Sequence, residues 1–173
     1  MVIQPYDDSW PEKFESIRKT LADHISAYLA IEHVGSTSIV GMEAKPIIDI
    51  DIVIEDGSKF EIIKDELSRI GYVHVGDQGI AGREVFKRDG SIEMGCLDQI
   101  VHHLYVCTKD NEELKRHLHF RNMLRAHEAL RREYIRIKHE ILEKVGTDNR
   151  KGYVDMKEQQ YGWFIDRVLK MRG

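Results

Sequence analysis

Asp49 and Asp51 stand two residues apart in the run Ile47-Ile48-Asp49-Ile50-Asp51-Ile52-Val53-Ile54. In an extended strand that spacing sends both carboxylates to one face, with Ile48, Ile50 and Ile52 on the other. Two carboxylates so close repel, and each opposes ionisation of the other. A divalent cation between them removes that penalty. Mg²⁺, or Mn²⁺ in its place, suits such a pair, because a hard ion of this size is held by one or two carboxylates and completes its shell with phosphate oxygens and water. Upstream, Val34-Gly35-Ser36 reads as a glycine turn that offers backbone N–H groups and a hydroxyl to a phosphate. Twelve residues separate Ser36 from Asp49. The Asp-Ile-Asp alternation alone is equally compatible with a strand whose second face is wet.

Further candidates lie downstream. The strand expected over Ile100–Cys107 places His103 and Tyr105 on one face and contains no acid. His103 is a candidate base or third ligand, with a hydrogen-bonded histidine at the cleft edge as the plainer alternative. Glu84 and Glu93 are the stand-ins for a third acid. In the helix after Asp110, the stripe through Leu114 and Leu118 continues onto Arg121 and Arg125, one turn apart. Inward-facing guanidinium groups require anionic partners. A protein carboxylate, or a phosphate or carboxylate on a ligand, would serve, and both readings stand. Lys157 falls between Tyr153 and Tyr161 on the inward stripe of the last helix, and Lys45 and Arg83 can add charge to the same cleft. The expected ligand is a nucleotide or other phosphorylated small molecule. His117, His119, His127 and His139 lack paired metal-ligand spacing and read as solvated helix positions.

The elements that must carry these residues follow from periodicity and capping. Ser9 to Glu12 reads as a capping box opening an amphipathic helix to about Tyr28. A short strand at Ile31–Val34 precedes the glycine turn. Ser58 to Glu61 is a second capping box, opening a helix with Phe60, Ile63, Leu67 and Ile70 inward, closed by Gly71. Tyr72–Val75 is expected as a strand. Past a glycine-rich loop at 76–82, a hairpin is expected with arms Arg83–Arg88 and Ser91–Leu97 around Asp89-Gly90. Asp110 is the expected cap of the next helix, Leu130, Tyr134, Ile137 and Ile141 continue a stripe, and a last helix spans about Tyr153–Met171. The class is α+β: one domain, with an α/β core over about 1–108 and a helical portion over about 109–173.

Composition sets the bounds. The 173 residues are 42% hydrophobic and 32% charged, ordinary for a globular chain. A net charge of -4 gives no overall basic field of the kind that favours nonspecific nucleic-acid binding. Two cysteines are too few for a disulfide framework. The N-terminus does not read as a signal peptide, and no run is apolar enough to span a bilayer, so a soluble cytoplasmic protein is expected.

The Gly-Ser turn followed at this distance by Asp-hydrophobic-Asp resembles the signature of the nucleotidyltransferase superfamily typified by DNA polymerase beta. That resemblance implies a triphosphate at Gly35-Ser36 and Mg²⁺ on Asp49 and Asp51. A wider resemblance is to the GrpB family. It rests on Glu32-His33-Val34-Gly35-Ser36-Thr37-Ser38, Lys45-Pro46-Ile47-Ile48-Asp49-Ile50-Asp51, Gly82-Arg83-Glu84, His102-His103-Leu104 and Phe120-Arg121-Asn122-Met123-Leu124-Arg125-Ala126-His127. Tyr105 departs from it, standing where a second histidine is expected after His103. The implied fold is a nucleotidyltransferase-like mixed sheet flanked by helices, with a helical C-terminal portion. The implied function is Mg²⁺-dependent nucleotidyl transfer from a nucleoside triphosphate to an acceptor that no motif specifies. A catalytically silent nucleotide- or anion-binding module and a metal-dependent phosphohydrolase are the alternatives.

Overall fold

The alternating isoleucines and aspartates form a strand whose two faces serve different purposes. In the computed structural model, which describes residues 3–147 and 149–171, this strand β2 (Ile48–Ile54) lies second in a five-stranded mixed sheet. It pairs antiparallel with β1 (Ala30–Val34) and parallel with β5 (His102–Thr108). Beyond β5 come β4 (Arg83–Arg88) and β3 (Tyr72–His74), each antiparallel to its neighbour, so the order is β1-β2-β5-β4-β3.

Ile48, Ile50, Ile52 and Ile54 point into a core shared with helices α1 (Trp10–Ala22) and α2 (Phe60–Ser68), where Trp10, Ile17, Leu21, Ile63 and Leu67 are buried. Each such side chain contributes about 1.5–3 kcal/mol of burial. Three helices, α4 (Glu112–Ala126), α5 (Glu128–Val145) and α6 (Arg150–Lys170), build a second core around Tyr134, Ile137, Ile141, Phe164 and Val168. Leu114 of α4 packs on Val53 and Cys107, so the helical portion covers the aspartate face of the sheet. The α+β architecture is as expected. No helix among the described residues is long and apolar enough to cross a membrane.

Several local expectations are corrected. Ser9 stands at the N-cap of α1 as expected, but its side chain makes no capping bond; the Asp7 carboxylate accepts from the Ser9 N–H instead. The helix ends at Ala22 rather than Tyr28, and Ser26 donates through its N–H and hydroxyl to Glu66, while Ile25 enters the core from a turn. Asp56, not Ser58, accepts at the turn before α2, and Asn111, not Asp110, caps α4 by accepting from the Leu114 N–H. The expected hairpin at Asp89-Gly90 is absent. Asp89 accepts from the Ser91 N–H and hydroxyl, and the Arg88 guanidinium binds Ile70 O, Ile92 O and the Asp98 carboxylate. Residues 91–95 form no strand and lead into a short helix α3 (Cys96–Gln99), and β4 pairs instead with β3 across the 76–82 loop.

Candidate active site

Register fixes which side chains meet above the sheet. Val34, Asp49 and His103 form one cross-strand row, and Glu32, Asp51 and Tyr105 the next. His103 Nδ1 donates to Asp49 Oδ1 at 2.9 Å. One row along, His117 Nδ1 of α4 donates to Asp51 Oδ2 at 2.8 Å, and its Nε2 faces Glu113 Oε1 at 3.4 Å. Burial disfavours a charged His117, but the hydrogen bond to Asp51 and the negative charges of Asp51 and Glu113 outweigh it, so its pKa is raised. Asp51 is fully buried, and its Oδ1 has no hydrogen-bond partner. Leaving a buried carboxylate oxygen unsatisfied is costly, at about 1–3 kcal/mol or more for a charged group.

The glycine turn lies directly against this pair. Gly35 has φ 69° and ψ -172°, a conformation open essentially to glycine alone. A Cβ there would sit 2.2 Å from Asp49 Oδ2. Three contacts pin the turn: Ser38 Oγ donates to Gly35 O at 2.6 Å, Thr37 Oγ1 to Ile47 O at 3.1 Å, and His33 Nε2 lies 3.0 Å from Thr37 Oγ1. His33 stacks on Phe14, and burial above all, with Arg125 nearby, pushes its pKa down to about 4, so it is a neutral structural ring.

Ser36 meets a lysine that periodicity had not singled out. Lys138 Nζ of α5 donates to Ser36 Oγ at 2.8 Å and to Glu43 O at 2.6 Å, and sits 4.7 Å from the centre of the Tyr134 ring. Ser36 Oγ accepts from Lys138, which leaves its own proton to donate into the cleft. Burial chiefly, and then the charge of Lys157, lowers the Lys138 pKa to about 7, with Glu43 opposing. The signal was present: Lys138 is four residues past Tyr134 and three before Ile141, on the inward stripe. His117 was equally legible, three residues past Leu114 and four before Arg121.

The expected residues divide into three groups. Gly35, Ser36, Asp49, Arg83, Arg121 and Lys157 line one cleft of about 320 Å³, together with His117 and Tyr105. Lys45 and His103 line an adjoining pocket of about 160 Å³, together with Lys138, that shares Ser36, Asp49 and Lys157. Arg125 and Asp51 border neither: Arg125 Nε and Nη2 donate to Ser38 O, behind the turn, and Asp51 is fully buried one row from Asp49. Arg121 lines the cleft, yet its Nη1 donates to Glu32 at 2.7 Å and His33 O at 2.9 Å, so a protein carboxylate balances its charge. Glu84 cannot stand in as the third acid. It sits on the isoleucine face, paired with Val106, and accepts from His74 at 2.6 Å. Glu93 lies exposed outside the sheet, away from both pockets. The solvated reading fails for His117. It also fails in part for His119, half-buried and 3.3 Å from Val168 O, whereas His127 and His139 are exposed, His139 pairing with Glu43 at 2.7 Å.

Among the described residues, no three His, Cys, Asp or Glu side chains converge as a metal-binding group. The donor set is the two aspartates. It fits an ion that draws the rest of its shell from phosphate and water, as Mg²⁺ does, and not zinc, which takes three or four protein ligands. The unsatisfied Asp51 Oδ1 is the atom such an ion would satisfy.

The GrpB protein family model matches residues 1–170. UPF0157 protein YqkA of Bacillus subtilis (strain 168) is 34% identical over 137 residues, 79% of this chain; the chain spans only 38% of that protein's length. The crystal structure of conserved protein GrpB from Enterococcus faecalis matches with a TM-score of 0.79 at 31% identity, covering 98% of each chain. A structure of the Cid1 poly(U) polymerase bound to MgATP matches with a TM-score of 0.56 at 13% identity, over 83% of this chain and 46% of that one. At that identity the likeness is one of fold, and the fold is nucleotidyltransferase-like.

Proposed function

The chain belongs to the GrpB family, and on that premise we propose that its cleft binds a nucleoside triphosphate with Mg²⁺ or Mn²⁺ and transfers a nucleotidyl group to an acceptor hydroxyl. The observation that carries this reading is the buried, unpartnered Asp51 Oδ1, one row from Asp49 and beside a glycine turn that touches the Asp49 carboxylate. In the proposed reaction the acceptor oxygen bonds to the α-phosphorus, the bond to pyrophosphate breaks, and the acceptor proton passes to a base. Asp49 and Asp51 would hold the divalent ion, which supplies positive charge to neutralise the phosphates and polarise the reacting oxygens. The Ser36 hydroxyl and the turn's backbone N–H groups hold the phosphate tail, with Lys138 and Lys157 as counter-charges. His103 spends its Nδ1–H on Asp49, so Nε2 is the nitrogen left to accept the proton.

A second reading, a nucleotide-binding module without turnover, is favoured by β5, where His103 and Tyr105 occupy the site face and no carboxylate does. Two measurements separate them. Thermal shift across the four nucleoside triphosphates, with Mg²⁺ or Mn²⁺, is expected to show metal-dependent stabilisation that Asp49→Asn weakens at least tenfold in affinity. Pyrophosphate release across an acceptor panel indicates transfer, inorganic phosphate release indicates hydrolysis, and binding with neither product indicates the silent module. No shift with any nucleotide and either metal would sink the proposal altogether.

A further inference from the structure

Arg83 opens β4 on the far flank of the aspartate pair from the glycine turn. The turn leaves β1 on one side of β2, whereas Arg83 pairs with Cys107 of β5, which pairs with Val53 on the other side. Arg83 is thus two strands across and two residues along from Asp51, about 12 Å between Cα atoms by standard strand spacing and rise. Its guanidinium lies over the ring of Tyr105, 4.6 Å from the centre, in the row of Asp51. Its Nε is buried without a hydrogen-bond partner, and among the described residues no carboxylate forms an ion pair with it. Arg83 and Arg116 line the cleft that contains Asp49, with Arg116 3.6 Å from Glu113 at the rim.

A guanidinium held over an aromatic ring keeps its N–H groups available to an anion. Its planar fork matches an anion with two oxygens. The phosphate tail of a bound nucleotide is already served on the opposite flank by Ser36, Lys138 and Lys157. We infer that the acceptor substrate itself carries a carboxylate or phosphate group, and that Arg83, with Arg116 at the rim, binds this group on the β4 side of the aspartates. The inference rests on the transfer reading of the cleft. It assigns Arg83 to the acceptor and not to the nucleotide.

The test is calorimetric titration of the full chain with inorganic phosphate and, separately, succinate, each with and without saturating Mg²⁺ and an α,β-imido nucleoside triphosphate. At least one anion is expected to bind alongside the analogue. Arg83→Met is expected to weaken that anion at least tenfold and change analogue affinity less than twofold. Arg83→Lys, which keeps the charge and loses the fork, should fall between, and it serves as the test if the methionine variant does not fold. Which anion binds more tightly distinguishes a phosphorylated acceptor from a carboxylic one. Competition between anion and analogue, equal weakening of both by Arg83→Met, or anion binding indifferent to Arg83 would each overturn the assignment. If no analogue binds, the transfer reading fails by itself; Arg83-dependent anion binding would still be measurable, and its absence would end this inference as well.

Discussion

Replacing Lys138 by methionine is expected to make the protein more stable and a poorer nucleotide binder. The ammonium is almost completely buried, with Ser36 Oγ and Glu43 O as acceptors and the Tyr134 ring beneath it. Its charged neighbours are Lys157, which repels it, and Glu43, which offsets that only in part; Lys45 lines the same pocket. A buried charge so poorly compensated costs stability, and an apolar side chain of similar length is expected to recover about 1–3 kcal/mol, a rise of several degrees in melting temperature. The pH dependence has a definite sign. The native pKa of about 7 lies below the ordinary 10.5, so between those values the unfolded chain binds more protons and stability rises with pH. Lys138→Met should flatten that rise in denaturation measured from pH 7 to 10.5. Phosphate oxygens, in contrast, favour the ammonium, so binding takes up a proton above pH 7, and affinity should fall by up to about tenfold per pH unit from there. In the variant, affinity should be at least tenfold lower at pH 6.5 and this part of the slope absent. A variant that binds as tightly as the parent, with the same slope, would remove Lys138 from the phosphate site.

That lysine shows where sequence stops being a guide. The period-two alternation around Asp49 and Asp51 was sufficient to place both carboxylates on one face, because a strand buried on its isoleucine side has only one register that satisfies it. The inward positions of Arg121 and Lys157 were legible for a similar reason, as interruptions of an apolar helical stripe. His117 sits on the α4 stripe with Arg121, and Lys138 on the α5 stripe between Tyr134 and Ile141, so their inward positions follow from spacing as well. What no local pattern contains is the partner. Glu32 balances Arg121, and Ser38 O absorbs Arg125, across separations that only the folded sheet closes. Two groups that read alike in sequence therefore differ in function: Arg121 reaches the cleft, whereas Arg125 braces the turn from behind. The expected Asp89-Gly90 hairpin failed for a tertiary reason too, since Arg88 pulls the following segment towards Ile70 and Asp98.

Gly35→Ala should uncouple the phosphate turn from the aspartates. The residue adopts φ 69°, ψ -172°, where an alanine costs about 1–3 kcal/mol in backbone strain. Strain is the lesser part. The new methyl would lie 2.2 Å from Asp49 Oδ2, and the carboxylate cannot simply rotate away, because Oδ1 is held by His103. Either the turn retreats, taking Ser36 from the phosphates, or Asp49 leaves His103 and the metal position. Both routes predict loss of metal-dependent nucleotide binding beyond what destabilisation explains. Gly41 provides the comparison: it also has positive φ, at 77°, but a Cβ there meets nothing within 4 Å. Gly41→Ala should therefore show the strain alone, about 1 kcal/mol in urea denaturation, with nucleotide affinity unchanged within twofold. Gly35→Ala should lose more stability than this and at least a hundredfold in affinity, measured where both variants remain folded. Equal affinity in the two would mean that the turn and Asp49 do not act on the same ligand, because a Cβ meets the Asp49 carboxylate at Gly35 and nothing within 4 Å at Gly41.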